Sequence, residues 1–202
     1  MWVKRVLPSL LFLAITGLAL AYFISHGFSA RDEPMAIEAW VARQLRHIAV
    51  PRAAREMANP IPANPEVLSE AMEHFADHCA FCHSNDGSGN TAIGKGLYPK
   101  TPNMREAGTQ NLSDGELYYI IHNGVRFTGM PAFGKDDGQQ DPDSWKLVRF
   151  IRHLPQITDE ELSRMKEMNP KTPSDLKEEE DINRFLEGGE PESSELAHQH
   201  HH

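Results

Sequence analysis

The chain has 202 residues, 40% of them hydrophobic, with a formal net charge of −9 at neutral pH and a pI near 5.6. That length admits one domain with extensions, and an acidic chain has no electrostatic case for binding nucleic acid. The charge is uneven: +3 over residues 1–62, −4 over 63–155 and −8 over 156–202.

Lys4 and Arg5 precede Val6–Ile24, a run of 19 residues that is apolar apart from Ser9, Thr16 and a few small residues. Such a run is long enough to span a bilayer as a helix, and a basic N-terminus stays in the cytoplasm. Residues 1–30 therefore predict a single-pass anchor in a bacterial inner membrane, with the rest of the chain in the periplasm. Ala19-Leu20-Ala21 also resembles a signal cleavage site, which would leave a soluble periplasmic protein. The apolar run continues past it through Tyr22, Phe23 and Ile24, and this favours the retained anchor.

Residues 31–63 bridge the anchor and the helical region that begins at Asn64. Ile37, Trp40, Val41, Leu45 and Ile48 recur at helical spacing, predicting a short amphipathic helix over 34–48. It would lie near the membrane or against the domain. Pro51, Pro60, Pro62 and Pro65 then mark an extended linker.

Asn64-Pro65 is a helix start, a capping residue followed by proline at the first helical position. Val67, Leu68, Ala71, Met72, Phe75, Ala76 and Cys79 give that helix one apolar face. His74 and His78, an i, i+4 pair on it, read as a solvated face. The helix leads into Cys79-Ala80-Phe81-Cys82-His83, and C-x-x-C-H is the attachment pattern of a c-type haem. Two thiols on one turn reach both vinyl groups of a porphyrin edge, and the adjacent histidine is carried under the iron. A disulfide, a thioredoxin-like pair or half a zinc site completed by His74 or His78 are the competing readings. Against them, Cys79 and Cys82 are the only cysteines, and His83 follows directly.

Asn85 to Asn90 is a glycine-rich loop whose glycines permit positive φ. Ser113-Asp114-Gly115-Glu116 is a capping box opening a helix that ends near Asn123-Gly124. Leu117, Tyr118, Tyr119, Ile120 and Ile121 read as its packing residues. Met130 follows in a Gly/Pro loop, Gly129-Met130-Pro131-Ala132-Phe133, with no apolar periodicity around it. Core packing explains it poorly, and a soft, neutral thioether suits haem iron. Met104 is the competing methionine and reads as buried packing. A helix over 142–154 presents Trp145, Val148, Phe150 and Ile151 on one face, with Arg149 and Arg152 nearby, read as solvated.

Together, Cys79 to His83, Thr128 to Phe133 and Trp145 to Leu154 resemble a class I monohaem cytochrome c over residues 64–155. The resemblance implies an all-α domain of three main helices and loops wrapped around one covalent haem c, with helical N- and C-terminal extensions. It implies thioethers from Cys79 and Cys82 and axial iron ligation by His83 and Met130. It also implies that the first helix crosses the last through Ala71 and Phe75, and that Tyr98 and Pro99 pack against the haem. A backbone carbonyl in one of the proline regions around residues 97–102 would accept the His83 Nδ1–H.

Residues 156–187 form an acidic extension, with capped helices starting at Thr158 and Thr172, that either clamps on the domain or binds a partner. Residues 188–202 are polar and end in a histidine-rich tail, read as disordered. There His198, His200, His201 and His202 are a candidate divalent-metal site or a tag remnant. The expected function is single-electron transfer between redox protein donors and acceptors, without enzymatic activity. The alternatives are a cytochrome subunit of a larger membrane dehydrogenase or oxidase complex, a peroxidase or ligand sensor with an open sixth site, and a redox partner in metal handling through the tail.

Overall fold

The computed structural model describes residues 3–27, 29–135, 141–171 and 173–186, and among these there is no strand. The long first helix is α1 (Val3–His26), followed by α2 (Ala36–Ala49) and a single turn, α3 (Arg52–Arg55). The side chains of Val6 and Phe23, within the apolar run, lie outside the described residues. Among the described residues, no helix is long and apolar enough to cross a membrane.

The core is built by helices whose start signals are all local. α4 (Pro65–His74) begins where the Asn64 side chain accepts from the Val67 N–H at 2.8 Å, and α8 (Asp114–Asn123) begins with both bonds of the Ser113/Glu116 capping box. α9 (Pro142–His153) starts where Asp141 accepts from the backbone of Asp143 and Ser144. Between α4 and α8 lie three short helices, α5 (Ala80–His83), α6 (Ala92–Gly96) and α7 (Ala107–Gln110).

α4 packs on α9, and α8 closes the other side of α9. Ala71, a small residue, is fully buried at 0% exposure and lets α4 approach α9 closely. Phe75, Trp145, Val148, Phe150 and Leu154 fill the space around it. Each large side chain buried this way contributes about 1.5–3 kcal/mol. Tyr118 of α8 stacks on Trp145 of α9, ring centroids 4.2 Å apart. The sequence reading of these residues as packing residues fits this core.

Two features depart from the sequence reading. Phe75–Cys79 forms a π-helical turn instead of continuing the α-helix. The wider turn rotates every later side chain relative to the α4 face, and such turns are frequent at functional sites. The other concerns Arg149 and Arg152, which are half-buried and bonded to the protein. Arg149 donates to the Ile61 carbonyl at 2.6 Å and 2.9 Å, holding the segment before α4. Arg152 donates to Asp114 at 2.9 Å and to the carbonyls of Gln110 and Leu112. Their stems cover the helix while their heads saturate loop carbonyls, which apolar periodicity cannot reveal.

After a 3-10 turn at Leu154–Gln156, α10 (Asp159–Met168) folds back on the π-helical turn and α4. Met165 is fully buried, and Asn169 donates to the Ala76 carbonyl at 2.8 Å. α11 (Pro173–Leu186) comes next in the chain. The Thr172 cap lies outside the described residues, as do residues 187–202 with the histidine tail.

Candidate metal centre

Cys79 ends the π-helical turn, and Cys82 and His83 lie on α5. No disulfide joins Cys79 and Cys82 in this structure. Burial, then the neighbouring Cys82, push the Cys79 thiol up to about 12, and burial raises that of Cys82. Neither is the acidified thiolate of a thioredoxin-like redox pair. His74 and His78 face each other with ring centroids 4.9 Å apart. Among the described residues, though, no group of three or more His, Cys, Asp or Glu side chains is arranged to hold a metal ion. The zinc reading therefore has no ligand set there.

His83 is buried, and burial drives its imidazole down to about 4. It is thus neutral at physiological pH and keeps a lone pair for a metal. Its Nδ1 makes no hydrogen bond. In this structure no backbone carbonyl of residues 97–102 accepts from it. A buried ring nitrogen without a partner is uncommon in folded proteins and singles out this imidazole for a role beyond packing.

The loops around α5 are drawn in by close backbone approaches. Gly87 and Gly89 both take φ +72°, as the loop reading requires. Gly89 N donates to the His83 carbonyl at 2.8 Å, and Met104 N to the Gly87 carbonyl at 2.7 Å. Met104 itself is buried in the core cluster. On the other side of the turn, a Cβ on Gly94 would fall 2.4 Å from the Cys82 carbonyl oxygen, so only glycine permits this contact. Next along the chain, Leu97 touches the Met130 loop, where a Cβ on Gly129 would lie 2.6 Å from its side chain. Contacts thus pass from Cys82 through α6 and Leu97 to the residue before Met130.

Met130 is half-buried, and its backbone is fixed at both ends. Its N–H donates to the Thr128 hydroxyl at 3.1 Å, and its carbonyl accepts from Val125 N at 3.0 Å. Phe133 N and Gly134 N donate to the Ile121 and His122 carbonyls, tying the loop to the end of α8. At the loop's tip Phe127 has φ +62° and is 94% exposed. A bulky residue in the left-handed region is an outlier for any chain.

Residues 66–151 match the family model described as cytochrome c oxidase, cbb3-type, subunit III. This domain is a class I monohaem cytochrome c. The match covers less than half of the chain, and no curated protein matches it in sequence. The cytochrome domain carries one covalently attached haem c, and Cys79 and Cys82 have the spacing that attachment requires. The residues present fit the group: two free thiols, a neutral buried imidazole with an orphaned nitrogen, and a thioether loop joined to them through Leu97.

Sequence reasoning missed what happens at Tyr98 and at α2. The Tyr98 hydroxyl donates to the Glu38 carboxylate of α2, which holds the phenol up at about 12. Farther along α2, His47 pairs with Glu116 at 3.3 Å and with Arg55 at 2.9 Å. No spacing rule links residues this far apart in the chain.

Proposed function

We propose that this cytochrome is a membrane-anchored, periplasm-facing electron carrier serving respiratory redox partners. Bound haem supplies a one-electron ferric/ferrous couple. In this reading Cys79 and Cys82 would hold it through thioethers, and His83 and Met130 would ligate its iron. Iron ligated by both side chains would leave no open position for a substrate, and this supports electron transfer without enzymatic activity.

The observation that carries the anchor is α1 itself. Leu7, Leu10, Leu11, Phe12, Leu13, Ile15, Leu18, Leu20, Tyr22 and Ile24 are each 52–72% exposed, so the helix packs its apolar surface against none of the other described residues. Two of its polar side chains turn back on the backbone, Thr16 to the Phe12 carbonyl and Ser25 to that of Tyr22, both at 2.9 Å. Internal satisfaction of polar groups is what a helix in lipid requires. Phe81, between the two cysteines, and Phe127, beside Met130, are exposed on the domain. They suit a small, transient docking face for a redox protein.

The test is extraction of native membranes with carbonate and high salt. A spanning helix keeps the full-length protein in the pellet, because it is not held by charge. Mature protein starting near Tyr22 in the soluble periplasmic fraction would exclude the anchor and retain export.

The family match favours a second reading, a cytochrome subunit of a terminal oxidase complex. Gentle detergent purification separates the two: stoichiometric co-purification of larger subunits supports the complex, and a lone cytochrome supports the carrier.

A further inference from the structure

α2 is docked the opposite way round from an ordinary amphipathic helix. Its inward side is mainly polar: its half-buried residues are Glu38 and Arg46 with the small Ala39, Glu38 holds Tyr98, and His47 holds Glu116. Its apolar stripe, Ile37, Val41, Leu45 and Ile48 with Trp40 at the edge, faces away from the protein and is 40–74% exposed. Residues spaced this way share one side of a helix. A soluble domain gains nothing by turning such a stripe outward, so the stripe needs another apolar medium.

We infer that α2 lies in the bilayer surface, its stripe among the acyl chains and its polar side gripping the cytochrome domain. The lipid is an anionic phospholipid bilayer, the one into which α1 inserts, so this inference rests on the anchor reading. Three observations select lipid. Only residues 27–35 separate the two helices, and nine residues span at most roughly 30 Å. Tryptophan at the boundary of an apolar face suits the headgroup level, as Trp40 does here. Residues 36–55 carry four arginines and one glutamate in a chain of net −9, with Arg43 exposed beside the stripe. Basic residues flanking an apolar helix face attract anionic headgroups.

The arrangement orients the domain. Glu38 grips Tyr98, next to Leu97, and Leu97 touches the Met130 loop through Gly129. A helix fixed in the membrane plane would thereby fix the tilt of the Met130 side of the domain.

The experiment uses the full haem-loaded chain in nanodiscs of phosphatidylcholine and phosphatidylglycerol, with the iron reduced. The native cysteines are consumed by haem, so Leu45→Cys, Ile48→Cys and, on α1, Leu13→Cys can each carry one nitroxide label. Collision rates with oxygen and with a nickel chelate report lipid and water respectively. The expected result is oxygen-dominated relaxation at all three positions. Chelate-dominated relaxation at 45 and 48, with lipid-like behaviour at 13, would overturn the seating of α2 and leave the anchor intact. Water-like behaviour at all three would overturn the anchor and the inference together. Labels at 45 and 48 shielded from both reagents would show protein covering the stripe, and would also overturn it.

Discussion

Phe75 and Phe150 meet at the crossing of α4 and α9, with ring centroids 4.9 Å apart and planes at 52°. Phe75 also stands 6.4 Å from the His83 ring, so the helix crossing and the metal centre share a wall. Both phenylalanines are essentially inaccessible to solvent. Phe75→Ala should therefore cost about 3–5 kcal/mol in denaturant unfolding, the usual range for a buried aromatic truncation. It should also lower the yield of haem-loaded protein. Phe75→Leu should recover most of the stability, and equal losses in the two variants would count against a packing role.

The axial assignment is tested at Met130 against Met104. Met130→Ala should leave haem attached, because the thioethers do not depend on the sixth position, while the absorption band of methionine-ligated ferric haem disappears and carbon monoxide affinity appears. Met130→His should stay low-spin with a lowered potential, since a harder nitrogen favours ferric iron. Met104→Ala should keep the methionine band and lose about 2–5 kcal/mol of stability, as for a buried methionine truncation. The reverse pattern would transfer the ligand role to Met104.

Arg152 joins α9 to Asp114 and to the carbonyls of Gln110 and Leu112, and it is mostly buried. Truncation to Ala leaves those acceptors unpaired, which should cost about 2 kcal/mol given the usual range for charged hydrogen bonds. Arg152→Lys should restore only part, because an ammonium cannot reproduce the planar fork. Urea midpoints of the three proteins decide it, and a Lys variant matching wild type would refute the geometric argument.

Acid should weaken the docking of α10. Burial pushes the Glu161 carboxyl up, but hydrogen bonds from Thr158 and His153 outweigh it and hold the group below its ordinary value of 4.5. A depressed carboxylate releases protons on folding, so its contribution is complete above the unfolded value and is lost as pH falls through the folded one. Glu161→Gln should therefore be less stable than wild type at neutral pH and approach it in stability below about pH 4, near the unfolded glutamate value. A stability difference independent of pH would exclude ionisation as its cause.

What the sequence determined alone is what local chemistry decides. The caps at Asn64 and Ser113 satisfy N–H groups within three residues, so Val67 and Glu116 were readable beside them. The apolar periodicity from Val67 to Ala76 and from Trp145 to Ile151 marks buried faces whatever those faces meet. Cys79, Cys82 and His83 are legible because haem attachment needs them together on one turn. Tertiary structure decided whatever depends on partners distant in the chain. Arg149 and Arg152 read as solvated, and they hold carbonyls of Ile61, Gln110 and Leu112. The π-helical turn at Phe75–Cys79 leaves no mark in a periodicity, because it adds one residue inside a pattern that stays apolar. The stripe of α2 was visible, but its direction was not. A hydrophobic pattern identifies a face, and only the pairing of Glu38 with Tyr98 and of His47 with Glu116 fixes which way that face turns.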